Sequence, residues 1–233
     1  MAKLLKKEFA LFAHPTSWMF LAFGAMMLIP GYPMYLPVFF ATLGLFYACL
    51  SARENNDLYY TLLLPVRKRD AVRARGLYFA LMELLQIAAC VPFAILRAVL
   101  KIGPNSAGMD VNVALFGLGL VLMGVFNLIF LPRLYKDPAA VGKPFLIATI
   151  AVFVYIVAAE VCCFVLPFFR DVLDTPDPQH LGAKLIVLAL GALLRADERA
   201  GRPPRGEDLR EGRPLRAPGR GRPFGKTRKA VLK

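Results

Sequence analysis

The chain has 233 residues, of which 58% are hydrophobic and 18 are phenylalanine, and its mean hydropathy is +0.54. A single soluble domain of this size cannot bury so much apolar side chain, so the composition excludes an ordinary soluble protein and predicts an integral membrane protein. The net charge of +13 is uneven, since residues 195–233 hold 13 Lys and Arg against 5 Asp and Glu. Most of the positive charge therefore belongs to the tail, and no nucleic-acid partner is expected.

Residues 1–14 predict an amphipathic helix that lies at the membrane interface. Its apolar side chains share one helical face, while its lysines can extend toward lipid headgroups. The apolar residues are Leu5, Phe9 and Phe12, and the lysines are Lys3, Lys6 and Lys7. A cleavable signal peptide is the alternative, because lysines precede an apolar run, but more apolar sequence follows the small-x-small match at residues 22–24.

Six apolar stretches predict six membrane helices. Residues 9–52 contain no Asp, Glu, Lys or Arg, which is enough chain for two crossings of about 20 residues each, with a reversal at Gly31-Tyr32-Pro33. The five complete spans are predicted at 15–30, 34–50, 77–96, 111–131 and 145–168. The sixth has only 10 apolar residues, 185–194, about half of a bilayer core. We therefore expect an all-α polytopic membrane domain over residues 15–194, with five clear transmembrane helices and a truncated sixth.

A polar segment, residues 51–76, separates the second predicted span from the third. It carries the densest charge outside the tail and cannot lie in hydrocarbon, so it must be a loop at one membrane face. Its charged residues are Arg53, Glu54, Asp57, Arg67, Lys68, Arg69, Asp70, Arg73 and Arg75.

The internal order of this segment predicts two helices. Residues 55–57 are of types that favour a helix start, and Pro65 disfavours helical backbone at Leu64. A short amphipathic helix is expected between them. Asp70 is predicted to cap a second helix that continues into the third span, with Arg75 remaining in water.

The same segment resembles the permease subunits of type-2 ATP-binding-cassette (ABC) exporters. In that family a cytoplasmic glutamate, a helix ending in Leu-Pro-Val, a basic residue and a helix start follow the second membrane helix. Here these elements are Glu54, Leu63-Leu64-Pro65-Val66, Arg67 and residues 70–75. The resemblance covers residues 1–194 and implies a permease that works with a second permease copy and a separate ABC ATPase subunit.

By this resemblance the short helix is a coupling helix that contacts the ATPase. Its apolar and aromatic side chains would be buried anchors and its arginines a charged rim. The implied coupling residues are Glu54, Tyr59, Tyr60, Leu63, Leu64, Pro65, Arg67 and Arg69.

The chain has no identifiable nucleotide site of its own. Gly225-Lys226-Thr227 looks like the end of a phosphate-binding loop, but Arg220 occupies the place of its first glycine and no apolar strand precedes it. No cofactor is therefore expected in this chain, which is not predicted to be an enzyme, and ATP is expected on the partner subunit. The two histidines lie on opposite predicted sides and the four cysteines inside spans, so neither a metal site nor a disulfide is expected.

The basic residues of the connections predict the orientation. With the N-terminus inside, the inner segments hold 12 Lys and Arg and the outer loops hold 4. Positive charge favours the cytoplasmic side. The N-terminus and residues 51–76 are therefore predicted to be cytoplasmic, in a multi-pass protein of a bacterial cell membrane.

Two carboxylates, Glu83 and Glu160, fall inside predicted spans. An acid within a membrane must face protein, water or a partner. Their depths differ by about 14 Å of helix rise, so they should not pair with each other. Glu83 is expected to make a helix-packing hydrogen bond with Gln86 or Asn127. A transport role is the alternative for Glu83. For Glu160, a packing hydrogen bond and a transport role are equally favoured.

Residues 195–233 predict a basic disordered tail, because Arg, Gly and Pro supply 21 of its residues and cannot build a core. Three interpretations remain open: binding to anionic membrane lipid, binding to RNA, or the product of a shifted reading frame. The abrupt change of composition favours the last.

The function predicted from the sequence is that of the membrane-spanning permease subunit of an ATP-driven exporter. The first alternative is a non-transport polytopic membrane protein, such as an immunity or assembly factor. The second is a lipid- or RNA-tethering protein that acts through its basic tail.

Overall fold

Helices make up the regular structure of the residues that the computed structural model describes, which are 2–63, 65–175 and 179–200. No strand occurs within these ranges, so the prediction of an all-α protein is confirmed. The helices are α1, Ala2–Lys7, continued by a π-helical turn, Glu8–Phe12; α2, Pro15–Leu21, continued by a 3₁₀ helix, Ala22–Leu28; α3, Leu36–Glu54; α4, Asp57–Leu63; α5, Lys68–Val99; α6, Val113–Lys136; α7, Gly142–Val165, followed by a π-helical turn, Phe169–Leu173; and α8, Leu181–Ala200.

Four of these helices, α3, α5, α6 and α7, are long and apolar enough to cross a membrane. They correspond to the second, third, fourth and fifth predicted spans. α5 begins at Lys68, before its predicted apolar stretch, because the second helix expected in segment 51–76 continues into the third span. The chain is a multi-pass membrane protein.

The first predicted span, residues 15–30, follows a sharp bend in the chain. The helical segments Ala2–Phe12 and Pro15–Leu28 meet at an angle of 91°. His14 caps α2, since its side chain accepts a hydrogen bond from the backbone N–H of Thr16 at 3.3 Å, and Pro15 opens the helix. The bend lies between the predicted interfacial helix, residues 1–14, and the first predicted span. The described residues contain five long crossing helices if the bent pair forms one span and four if it does not, beside the shorter apolar helix Leu181–Leu194, so the exact number of spans stays a prediction.

Helix α8 is longer than predicted and packs closely on α6. A Cβ atom on Gly191 would lie 2.5 Å from the carbonyl oxygen of Gly117, and one on Gly117 would lie 2.7 Å from the backbone nitrogen of Leu188. Small residues allow two membrane helices to approach in this way. Residues 195–200, predicted to begin the disordered tail, continue the helix, because Ala, Glu and Arg are good helix formers. The rest of the predicted tail lies outside the described residues.

The core lies where α3, α5 and α6 meet, and it is rich in fully buried aromatic side chains, including Tyr78, Phe79 and Phe126. In contrast, α7 presents an exposed apolar face that includes Val154 and Val157. Exposed apolar side chains on a long membrane helix are suited to contact with lipid or with another membrane helix.

The connections gather at two ends of the helices, which we call the basic end and the acidic end. The basic end holds the N-terminal helix and residues 53–63, 65–75 and 133–143, linked by contacts such as Arg53 Nη1 to the carbonyl oxygen of Ala139 at 3.5 Å. The acidic end holds residues 29–35, 100–112 and 166–175, and there Asn105 Nδ2 donates to the carbonyl oxygen of Tyr32 at 3.2 Å. Connections predicted for the same side of the membrane thus share an end.

Candidate functional site

Helix α4 at the basic end is the short helix predicted from residues 51–76. Asn56, with a φ of 52°, turns the chain out of α3, and its carbonyl oxygen accepts from the backbone N–H of Tyr60 at 3.2 Å. Asparagine tolerates this left-handed conformation better than most residues. The helix ends at Leu63, two residues before Pro65, as the proline predicted.

One face of α4 and its flanks is open to solvent. Tyr60 is 64% exposed and Leu63 is 65% exposed. Both are apolar side chains that a folded protein normally covers in part. The remaining exposed residues of the predicted coupling set are Glu54, Pro65, Arg67 and Arg69. Of the same set, Leu64 lies outside the described residues, and so does the side chain of Tyr59.

Four charged side chains hold α4 to its neighbours, and we call them the four-charge ring: Asp57 of α4 itself, Lys7, Glu8 and Arg75. Lys7 Nζ lies 2.6 Å from Asp57 Oδ1 and 3.2 Å from Glu8 Oε1. Arg75 Nε lies 3.0 Å from Glu8 Oε2, and Arg75 Nη2 contacts Asp57 Oδ2. Each cation therefore touches both acids, and the ring joins α1 with its π-helical turn, α4 and α5.

The ring is largely shielded from water. Glu8 is 2% exposed and Arg75 is 8% exposed, and the Arg75 guanidinium carbon lies 4.0 Å from the centre of the Phe12 ring. A buried charge costs several kcal/mol unless it is paired and hydrogen-bonded. Two cations and two acids in mutual contact meet that requirement.

The electrostatics of the ring favour the ionised form of Asp57. Burial acts to raise the pKa of Asp57, but hydrogen bonds and charge from Lys7 and Arg75 outweigh burial and hold the pKa below its usual value. Asp57 thus remains a carboxylate at any pH near neutrality.

Two predictions about α5 are wrong. Arg75, expected in water, is buried in the ring, because α5 turns the face carrying Ala71, Ala74 and Tyr78 inward and Arg75 lies on it. Asp70 does not cap the helix, since α5 begins at Lys68 and Asp70 occupies its first turn.

Inside the membrane region, polar side chains of α5 meet both neighbouring helices. Asn127 Nδ2 of α6 donates to Glu83 Oε2 at 3.1 Å. Gln86 Nε2 donates to the carbonyl oxygen of Pro37 in α3 at 3.0 Å. The structure thus brings Glu83 to one of the two partners expected from the sequence, in the manner of a helix-packing contact.

Glu160 lies at the acidic end, against the loop 100–112. Its Oε2 accepts from the backbone N–H of Met109 at 2.9 Å. The backbone at Gly108 approaches so closely that a Cβ there would lie 1.7 Å from Glu160 Oε2, and its φ is 152°. Asp174 makes a similar contact, accepting from the backbone N–H of Asp110 at 2.7 Å. Two carboxylates therefore hold the loop 100–112.

Among the described residues, no group of three or more His, Cys, Asp or Glu side chains is arranged to hold a metal ion. The four cysteines are free thiols. The sites of interest are therefore the exposed face of α4, the four-charge ring beneath it and the carboxylates of the acidic end.

Comparison with known proteins identifies the family to which the chain belongs. The family model of the ABC-2 family transporter protein matches residues 3–194, which contain every helix that could cross a membrane among the described residues. Neither a curated protein nor a solved structure matches the chain. The match includes the whole segment 51–76 on which the resemblance was based. The chain belongs to the ABC-2 transporter family, as a membrane-spanning permease protein of ABC transport.

Proposed function

We propose that the chain is the permease subunit of an ATP-driven exporter, and that the exposed face of α4 binds a separate ABC ATPase subunit. The observation that carries this proposal is the exposed pair Tyr60 and Leu63. They project from a short helix whose other side is fixed by the four-charge ring. A held helix with exposed apolar side chains is suited to insertion into a groove.

The chemistry of this face indicates what it binds. Aromatic and aliphatic side chains at the centre of an interface supply most of its binding free energy, while charges at the rim set association rate and specificity. Tyr60, Leu63 and Pro65 would form the centre, and Arg67 and Arg69 the rim. The fitting partner groove is apolar with an acidic border.

ATP hydrolysis in this scheme belongs to the partner, because the permease sequence contains no complete phosphate-binding loop. Closure of the ATPase subunits would push α4 and move the membrane helices attached to it. A second permease copy would complete the transport path, with the basic end in the cytoplasm of a bacterial cell. The exposed apolar faces, such as that of α7, offer surface to lipid and to the second copy.

The proposal is tested by replacing one central and one rim residue. Tyr60→Ala should reduce both the amount of ATPase that co-purifies with the permease and the stimulation of ATP hydrolysis by the permease. The reason is that loss of a central aromatic anchor costs about 2 kcal/mol or more of binding free energy. Arg69→Ala should change mainly the salt dependence of binding. The measurement is ATP hydrolysis by the reconstituted complex together with the amount of ATPase retained on the purified permease.

Ser106→Ala is the matched control, since Ser106 is an exposed residue at the acidic end and should affect neither quantity. If Tyr60→Ala and Leu63→Asp both left ATPase binding and stimulation intact, the coupling proposal would fail. A non-transport membrane protein, such as an immunity or assembly factor, would then be the better account.

A further inference from the structure

Resting on the proposed function, we infer that Lys7 and Glu8 of the N-terminal helix are positioning residues for coupling. They fix α4 to α1 and α5, so that a push on α4 moves the three helices together. The N-terminal helix would then be part of the coupling machinery and not only an interfacial anchor.

The contacts of Lys7 support a fixed position for its side chain. An ammonium group has three N–H donors, and Lys7 Nζ has three acceptors within hydrogen-bonding distance. They are Asp57 Oδ1 at 2.6 Å, Thr61 Oγ1 at 2.7 Å and Glu8 Oε1 at 3.2 Å. A lysine that only reaches for lipid headgroups would keep its ammonium in water. Lys7 instead contacts one turn of α4 at two residues, Asp57 and Thr61.

Glu8 provides the second link, from α1 to α5. Its Oε2 accepts from Arg75 Nε at 3.0 Å, while its Oε1 contacts Lys7. Since Arg75 also contacts Asp57, the ring closes, and no two of the three helices can separate without breaking an ion pair. Such a closed arrangement resists relative movement of its members more than a single pair does.

Helix α4 requires such support. It has 7 residues, which is too short for a stable helix in isolation. The same helix presents Tyr60 and Leu63 outward. A push on these side chains would bend or unwind an unsupported helix, whereas the ring passes the force to neighbouring elements.

Helix α5 can carry the displacement to the acidic end. It spans 32 residues, or about 48 Å of helix rise. Near its far end Arg97 donates to the carbonyl oxygens of Met27 at 3.0 Å and Gly103 at 2.9 Å. One continuous helix therefore connects the ring under α4 with the loop held by Glu160.

The test compares a variant that unbalances the ring with one that opens it while keeping it neutral. Lys7→Met removes the ties from α1 to α4 and leaves an excess negative charge. Lys7→Met combined with Asp57→Asn removes the same ties and also the Arg75–Asp57 ion pair between α4 and α5, but leaves the balanced pair Glu8 and Arg75. Lys6→Met is the control, because Lys6 is an exposed lysine next in the chain.

For a positioning role, stability and coupling should separate. The double variant should recover the thermal stability of the wild type, because no unpaired buried charge remains. Its ATPase stimulation should stay reduced by about fivefold or more, with the ATPase still co-purifying. Lys6→Met should behave as the wild type. Spin labels at Lys3 and Leu63, measured in the permease alone, should show a broader distance distribution in the double variant.

Two outcomes would overturn the inference. If the double variant regained full stimulation, charge balance and not the tie between α1 and α4 would be what matters. If it lost ATPase binding in proportion to stimulation, the ring would serve the interface and not its movement. Failure of the proposed function would look different, since the wild-type permease would neither bind nor stimulate the ATPase, while the spin-label distances would still report on the position of α4.

Discussion

The two ends of the molecule use carboxylates in opposite ways. At the basic end, Glu8 and Asp57 pair with side chains and join helix to helix. At the acidic end, Glu160 and Asp174 accept backbone N–H groups and join a loop to the helices beneath it. The first arrangement resists movement between helices, whereas the second holds a connection in place. The end proposed to receive a push is thus the one in which helices are tied to each other.

The difference extends to charge. The acids of the four-charge ring each contact two cations. At the acidic end burial raises the pKa of Asp174, an effect that the hydrogen bond from Asp110 and the charge of Lys184 only partly offset. The pKa of Asp57 at the basic end is held below its usual value, so Asp57 resists protonation, while Asp174 gains a proton more readily than an ordinary aspartate.

The two ends are predicted to lie on opposite sides of the membrane, and a labelling test of this orientation should give the largest effect. In a cysteine-free background, Asn56→Cys at the basic end should react with impermeant maleimide only in inside-out vesicles. Ser106→Cys at the acidic end should react in intact cells, because the basic end is predicted to be cytoplasmic. The reverse labelling would invert the orientation and place α4 beyond the reach of a cytoplasmic ATPase.

Breaking the basic end comes next in size. Arg75→Met should destabilise the protein by about 3–5 kcal/mol, because it leaves two buried acids with Lys7 as their only cation in the ring. Thermal unfolding of the purified permease measures the effect. Arg73→Met is the control, since Arg73 lies on the exposed side of the same helix. Equal stability of the two variants would show that the ring contributes little.

Breaking the acidic end should have a smaller and more local effect. Gly108→Ala should displace the loop, because its Cβ would collide with the Glu160 carboxylate. The strain should destabilise the loop by about 1–3 kcal/mol. Hydrogen exchange of residues 105–112 should accelerate. Gly103→Ala in the same loop is the control, since a Cβ there meets nothing within 4 Å. Unchanged exchange in Gly108→Ala would mean that Glu160 does not hold the loop.

These contrasts also show what the sequence could predict. The long helices, the reversal at Gly31 and the end of α4 before Pro65 follow from local signals, namely charge-free length, turn residues and proline. The contact between Glu83 and Asn127 could also be predicted, because a polar side chain in a membrane helix needs a polar neighbour. The partner of Glu160 could not be predicted, since it is the backbone N–H of Met109, which no side chain in the sequence indicates.

The four-charge ring was missed for a different reason. Glu8 and Arg75 lie 67 positions apart, so no local pattern connects them. One signal was present in the sequence: Glu8 shares a helical face with Leu5 and Phe12. An acid among apolar residues of an interfacial helix requires a cation from elsewhere in the fold. Among the nearby basic residues, only the tertiary structure selects Arg75.

The smallest predicted effect is a difference in pH dependence between the two ends. The folded-state pKa of Asp174 is raised, so its carboxylate form disfavours folding above that pKa. This cost begins to decline as the pH falls through the folded value and is gone below the unfolded value of about 3.9. The folded-state pKa of Asp57 is lowered. Its stabilisation is present above the unfolded value of about 3.9 and is lost only as the pH falls through the lower folded value.

Thermal unfolding midpoints of the wild type, Asp174→Asn and Asp57→Asn, measured from neutral to acid pH, distinguish the two cases. The difference between the wild type and Asp174→Asn should change while the pH is still above the ordinary range of aspartate. The difference between the wild type and Asp57→Asn should persist until the pH is below about 4, because Asp57 resists protonation while Lys7 and Arg75 contact it. If both differences changed in the same pH window, the environments of Asp57 and Asp174 would not differ in their effect on protonation. The proposed contrast between the ion-paired carboxylates of the basic end and the loop-binding carboxylates of the acidic end would then fail.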